Sequence, residues 1–171
     1  STRPITFQSE DGNKNTCLVT FAGGATQTAA INATSIAGGI PTVRFNNADF
    51  VTFKNFTVQA TGTGGSNWAV AVELMGLTTN QGDACDNVTF DNMVFTGRTS
   101  TSFILNDVVF LSNAAAQQNL TIKNCTFNNG SSSLYLWRTV TPFVPGISIL
   151  NNTFNNFASN AISSNVTDAA V

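Results

Sequence analysis

Charged residues and histidine are scarce in this sequence of 171 residues. It contains seven Lys and Arg, nine Asp and Glu, and no His, so that charged residues make up 9% of the chain. An ordinary soluble domain carries about a quarter. With a net charge of −2 there is no basic surface for a nucleic-acid backbone, and we expect no nucleic-acid partner.

The residues that favour exposed helices are also nearly missing. Only three Lys and two Glu occur, whereas Asn, Thr and Ser number 22, 24 and 14. Phe is frequent at 14 residues, and together with Thr and the β-branched aliphatic residues it favours pleated surfaces. The composition therefore predicts an all-β fold.

Cysteine and long apolar runs are limited too. Cys17, Cys85 and Cys125 form no C-x-x-C pair, and without any His we predict no metal site. Cys125 is expected in the core, whereas a disulfide between Cys17 and Cys85 stays open. The two uncharged stretches of 29 residues, 15–43 and 139–167, are interrupted by polar residues, so we expect no membrane span. No signal peptide is visible, so any export signal was removed or lies outside this chain.

An internal repeat is the strongest feature of the sequence. Four segments align without gaps: Val51–Val58 (VTFKNFTV), Val88–Phe95 (VTFDNMVF), Leu120–Phe127 (LTIKNCTF) and Ile147–Phe154 (ISILNNTF). Their shared asparagines are separated by 37, 32 and 27 residues, which indicates equivalent strands joined by loops of unequal length: Asn55, Asn92, Asn124 and Asn151. We predict that these four asparagines bend the chain and stack as a hydrogen-bonded ladder at one corner.

A third short strand is expected in each repeat. The candidates are Thr42–Phe45, Trp68–Leu74, Val108–Leu111, Leu134–Trp137 and Ala161–Ile162. This gives about five coils of three strands in a single domain, with an irregular start at 1–41, clear repeats at 42–162 and a tail at 163–171. Lys54, Asp91 and Lys123 share one repeat position, which predicts a column of salt bridges.

The repeated strand–Asn–strand unit between about Thr42 and Ile162 resembles the parallel β-helix repeat family, the pectin-lyase-like superfamily in its broad sense. It is similar to β-helix segments of large secreted or surface proteins of bacteria. The resemblance implies a right-handed parallel β-helix in an extracellular or cell-surface protein. No capping amphipathic helix is apparent, so we expect an excerpt of a longer protein whose ends are capped by neighbouring domains or subunits.

Catalytic candidates are few. The resemblance implies that an enzyme of this family would work on polysaccharide with clustered carboxylates, and a lyase would use Ca²⁺. Glu73 and Asp107 lie on or beside consecutive copies of one strand and Arg138 follows the next copy. These three residues are the best candidate cluster, and the alternative is that they are solvated or bind loops. Outside the lyase alternative we expect no cofactor.

Tyr135 and Trp137 alternate with leucines in one predicted strand. If the leucines point inward, both rings lie on one outer face, where they could stack on a sugar. The alternative is that a loop such as Val140–Gly146 covers them.

Three functions remain as hypotheses. The first is a non-catalytic structural or adhesive module, and the alternative is a protein that binds or degrades polysaccharide, as a lyase or a hydrolase. The third is an ice-binding solenoid, for which the repeat offers only one file of outward hydroxyl residues: Thr52, Thr89, Thr121 and Ser148. Eight N-x-S/T sequons are attributed to the abundance of Asn and Thr.

Overall fold

The computed structural model describes residues 3–22, 41–62, 69–75, 85–102, 107–113, 118–136, 146–164 and 169–170. Within these ranges the chain forms sixteen short β-strands and no α-helix. All strand pairs are parallel. The prediction of an all-β fold with parallel strands is confirmed.

The strands form three sheets, here called A, B and C. In pairing order, sheet A contains β1 (Ile5–Gln8), β4 (Val51–Lys54), β7 (Thr89–Asp91), β10 (Leu120–Lys123), β13 (Ile147–Leu150) and β16 (Ala169–Ala170). Sheet B contains β2 (Leu18–Phe21), β5 (Thr57–Ala60), β8 (Val94–Thr96), β11 (Thr126–Asn128) and β14 (Thr153–Asn155). Sheet C contains β3 (Val43–Asn46), β6 (Val72–Met75), β9 (Phe110–Asn113), β12 (Ser132–Leu136) and β15 (Asn160–Ser164).

The chain visits the three sheets in strict rotation, so each strand from β1 to β13 pairs with the strand three places later in sequence. We call three consecutive strands, one in each sheet, a repeat. Equivalent residues of neighbouring repeats are in register: Phe7 lies beside Phe53, and Phe53 beside Phe90. This arrangement is consistent with a β-solenoid.

Alternation of apolar and polar residues explains which face of each strand is buried. In β4, Val51 and Phe53 are buried, whereas Thr52 and Lys54 between them remain half-exposed. The chain then bends at Asn55, whose φ of 60° lies in the left-handed region. Asn adopts this conformation more readily than other non-glycine residues. The bend lets β5 follow after two residues.

The core lies between the three sheets and is rich in phenylalanine. Phe90 of sheet A, Phe95 of sheet B and Phe110 of sheet C are fully buried and meet one another, with ring centroids 5.1 to 5.7 Å apart. Phe127 continues this stack with its centroid 5.0 Å from that of Phe95. Edge-to-face and tilted ring pairs of this kind contribute beyond the area that they bury.

Sheet C differs most from the sequence prediction. Strands β6 and β9 begin later than expected, β6 at Val72 rather than at Trp68, and β9 at Phe110 rather than at Val108. Strand β12 begins earlier, at Ser132 rather than at Leu134. Of these three strands, β12 follows a bend at Asn129, whose φ is 65°, whereas parts of the connections before β6 and β9 lie outside the described residues. Trp68 and Trp137 lie outside the described residues.

The N-terminal part of the chain belongs to the stack. Strands β1 and β2 pair in register with β4 and β5. Because no described strand pairs with the other edge of β1, Ile5 and Phe7 remain 54% and 51% exposed, whereas their neighbours Val51 and Phe53 are buried. At this end of the stack, apolar side chains are therefore exposed although they occupy the positions that are buried in the next repeat.

Candidate functional site

Glu73 is held in sheet C by a partner on the neighbouring strand. It lies on β6 beside Arg44 of β3, and the Nε of Arg44 donates a 2.8 Å hydrogen bond to Glu73 Oε2. The Glu73 side chain is only 2% exposed. Burial raises the pKa of its carboxyl, although the charge and hydrogen bond of Arg44 oppose this shift.

Asp107 is held by a second arginine. Its carboxylate forms an ion pair with the guanidinium of Arg98, which also donates to the carbonyl of Gly62. The backbone joins the same unit, because Gly130 N donates to Arg98 O and Ser131 N donates to Asp107 O. The ion pair closes the connection between β8 and β9 on itself, and the two backbone hydrogen bonds tie this connection to the residues just before β12.

The structure does not bring Glu73 and Asp107 together as a pair. The residue in register with Glu73 is Leu111, whereas Asp107 lies three residues before β9 begins. Each carboxylate faces its own arginine and is nearly inaccessible to solvent. The third candidate, Arg138, lies outside the described residues. The described contacts of each carboxylate are therefore made with an arginine and not with the other carboxylate.

Tyr135 points away from the core. Its neighbours in β12, Leu134 and Leu136, are buried in the core, whereas Tyr135 is half-buried. Strand pairing places it in the same outward row as Arg44 and Glu73. Burial raises the pKa of its hydroxyl. Trp137, its predicted partner, lies outside the described residues, so the pair of rings stays a prediction.

The four repeat asparagines occupy one corner between sheets A and B. All have φ between 53° and 60°, and Asn92 Nδ2 donates a 2.8 Å hydrogen bond to Asn55 Oδ1. At the next step Asn124 Nδ2 donates instead to Asp91 Oδ1, at 3.0 Å. Asn151 is exposed, and no side-chain hydrogen bond joins it to the described residues. The side chains thus form one Asn–Asn link, and Asp91 takes the acceptor position in the next.

Two further links between amides were not predicted. Asn119 donates to Asn87 at the corner that precedes sheet A, and Asn155 donates to Asn128 on sheet B, both at 3.0 Å. The first corner also contains Phe50 and Gly146, and all four residues there have positive φ. The sequence signal for Asn87 and Asn119 was their common place just before an aliphatic-Thr pair.

The column of salt bridges predicted on sheet A is confirmed. Asp91 Oδ2 lies 3.8 Å from Lys54 Nζ and 3.5 Å from Lys123 Nζ. All three side chains are partly exposed, so each pair contributes about 0–1 kcal/mol.

The cysteines are free thiols: Cys85 and Cys125 are buried and Cys17 is partly buried. Desolvation raises the pKa of Cys125 to about 11, which makes it a poor nucleophile. In the described part of the chain, no three His, Cys, Asp or Glu side chains gather into a metal-binding group. Nor do the described ranges contain a helix with the length and hydropathy to cross a membrane.

Comparison with known proteins gives no match for this chain among protein-family models, curated proteins or solved structures. The function of the chain is therefore inferred from its own geometry.

Proposed function

We propose that this chain is a right-handed parallel β-helix of about five coils, each with three short strands, that acts as a non-catalytic structural or adhesive module. We place it outside the cell or at the cell surface. The rotation of the chain through three parallel sheets supports the helical arrangement. In such a module the function is to hold loops and neighbouring parts at fixed distances.

The non-catalytic part of the proposal rests on the ion pairs that both candidate carboxylates form with arginines. Glu73 and Asp107 are the only described acidic side chains that are nearly fully buried, and each is bound by an arginine. A glycoside hydrolase needs two carboxyl groups that face a common substrate, about 5–9.5 Å apart. Here both carboxylates instead fasten strands and connections to one another, which is a structural role.

The exposed apolar side chains of β1 and β2 indicate that a partner covers the end of the stack formed by these two strands. Ile5, Phe7 and Phe21 are 40% to 54% exposed, and exposed strand edges with apolar side chains favour association with other strands. We therefore propose that a neighbouring domain or subunit caps this end.

Incubation with polysaccharides tests the proposal. The purified chain should release neither reducing ends nor unsaturated products from acidic or neutral polysaccharides, with or without Ca²⁺. Turnover that Glu73→Gln or Asp107→Asn abolishes, and that the control Glu10→Gln retains, would make the chain an enzyme and overturn the proposal. Glu10 is a suitable control because it is exposed.

An experimental structure tests the architecture separately. We expect the strands of successive repeats to wind in a right-handed sense around one core. A left-handed path, or three sheets that do not enclose a common core, would contradict the β-helix part of the proposal without affecting the catalytic part.

A further inference from the structure

Sheet B presents two outward files of residues that run across its strands. The first file begins with the exposed Leu18 and continues with β-branched residues only: Thr57, Val94, Thr126 and Thr153. The second consists of neutral residues that can form hydrogen bonds: Thr20, Gln59, Thr96, Asn128 and Asn155. The inward residues between the files are apolar, as Val58, Phe95 and Phe127 show by their complete burial.

This outward face contains no charged residue at any of its ten positions. The outward face of sheet A differs, because Lys54, Asp91 and Lys123 lie in one of its files. Charged groups are strongly hydrated and usually make up a quarter or more of a protein surface. A face without them is complementary to an uncharged partner.

The two files also form a regular lattice. Neighbouring strands lie about 4.8 Å apart, and alternate residues of one strand about 6.6 Å apart. The hydrogen bond of 3.0 Å from Asn155 Nδ2 to Asn128 Oδ1 holds two of the amides in position. Val and Thr have the same shape, so Val94 preserves the spacing of methyl groups in the first file.

We infer that this face of sheet B binds ice. Ice is an uncharged surface with donors and acceptors at fixed repeat distances. The two files are also uncharged, and they present hydroxyl, amide and methyl groups at fixed repeat distances. A soluble sugar is a poorer fit, because none of the ten positions is aromatic and sugar rings stack on aromatic side chains. The inference goes beyond the proposed structural function and does not rest on it.

On β8, β11 and β14 the outward residues are half-buried, apart from Thr153, which is exposed. At the other end of the face, the Thr57 hydroxyl donates a 2.6 Å hydrogen bond to the carbonyl of Lys14 and is not available. Thr126 lies on the central one of these three strands, between Val94 and Thr153. A long charged side chain at Thr126 would be surrounded by a hydration shell whose water molecules cannot join the ice lattice.

Inhibition of ice recrystallisation, and partition of the protein into slowly growing ice, test the inference. We expect the unmodified chain to be active in both assays and Thr126→Lys to require at least about a tenfold higher concentration. The control is Thr121→Lys, which places the same charge in the hydroxyl file of sheet A between Thr89 and Ser148. This control should retain full activity.

Thr153→Lys provides a second variant on the same face, should Thr126→Lys alter the fold. Unfolding midpoints measured in parallel show that the compared variants are folded. An inactive unmodified chain, equal losses in the sheet A and sheet B variants, or retention on insoluble neutral polysaccharide in place of ice would each overturn the assignment.

Discussion

The Nδ2 atom of Asn92 donates a 2.8 Å hydrogen bond to Oδ1 of Asn55, which lies 37 residues earlier in the chain. The two residues share a left-handed backbone and mark the same bend in successive repeats. The bond is partly buried, so water replaces it only in part when it is lost.

Substitution of Asn92 by alanine should destabilise the chain by on the order of 1–3 kcal/mol, because it removes this bond and places alanine at positive φ. The control is Asn151→Ala, which changes the same corner at a similar φ of 55° but at an exposed amide. Unfolding in denaturant measures both. Equal losses would show that the amide link contributes nothing beyond the backbone conformation.

Substitution of Gly146 by alanine should cost on the order of 2–4 kcal/mol. Its φ is 124°, and a Cβ there would lie 2.6 Å from Asn119 Oδ1 and 2.8 Å from Asn119 N. In the control Gly12→Ala, φ is also positive but the nearest atom is 3.8 Å away, so about 1–2 kcal/mol is expected. Thermal melts compare the two variants, and a smaller loss for Gly146→Ala would contradict the predicted clash.

Substitution of Phe127 by alanine should remove about 3–5 kcal/mol of stability, because the ring is fully buried among other rings. Phe7→Ala is the matched control in the same kind of strand position. Phe7 is half-exposed at the end of the stack, and about 1 kcal/mol is expected. Similar losses in denaturant melts would mean that the end of the stack is covered in solution.

The pH dependence of stability should report on Glu73. Burial raises its pKa above the ordinary value of 4.5, so the folded chain binds this proton more tightly than the unfolded chain does. The resulting stabilisation is fully present below the unfolded pKa and is lost as the pH rises through the folded pKa.

The variant Glu73→Gln lacks this titration. The unfolding free energy of the unmodified chain, relative to that of Glu73→Gln, should therefore fall as the pH rises above the ordinary carboxyl pKa of 4.5. Denaturant unfolding at several pH values measures the difference. A difference that stays constant or rises over this range would be incompatible with the raised pKa.

The stacking of sheets A and B could be predicted because each copy of the strand–Asn–strand unit carries the same pattern of residues. Lys54, Asp91 and Lys123 precede the shared asparagine in three of the copies, and the structure places them side by side. Local bends and alternation were sufficient here. No long-range information was needed beyond the alignment of the copies.

The remaining contacts depend on backbone conformation and loop length, which the residue types do not show. The corner before sheet A contains Phe50, Asn87, Asn119 and Gly146, which share a positive φ but not a residue type. In sheet C, Arg44 and Glu73 meet across 29 residues that include a long stretch outside the repeat pattern. Which residues meet there depends on where each strand begins after its loop.

The separations between copies of the repeat vary while the register between neighbouring strands does not. Each repeat therefore pairs with its two neighbours in the same register on both edges. A tandem duplication of one repeat in the gene would lengthen the stack by about 4.8 Å and create no new kind of contact. Such a chain can consequently change in two independent ways. It can gain repeats by duplication, and its loops can vary in length and sequence.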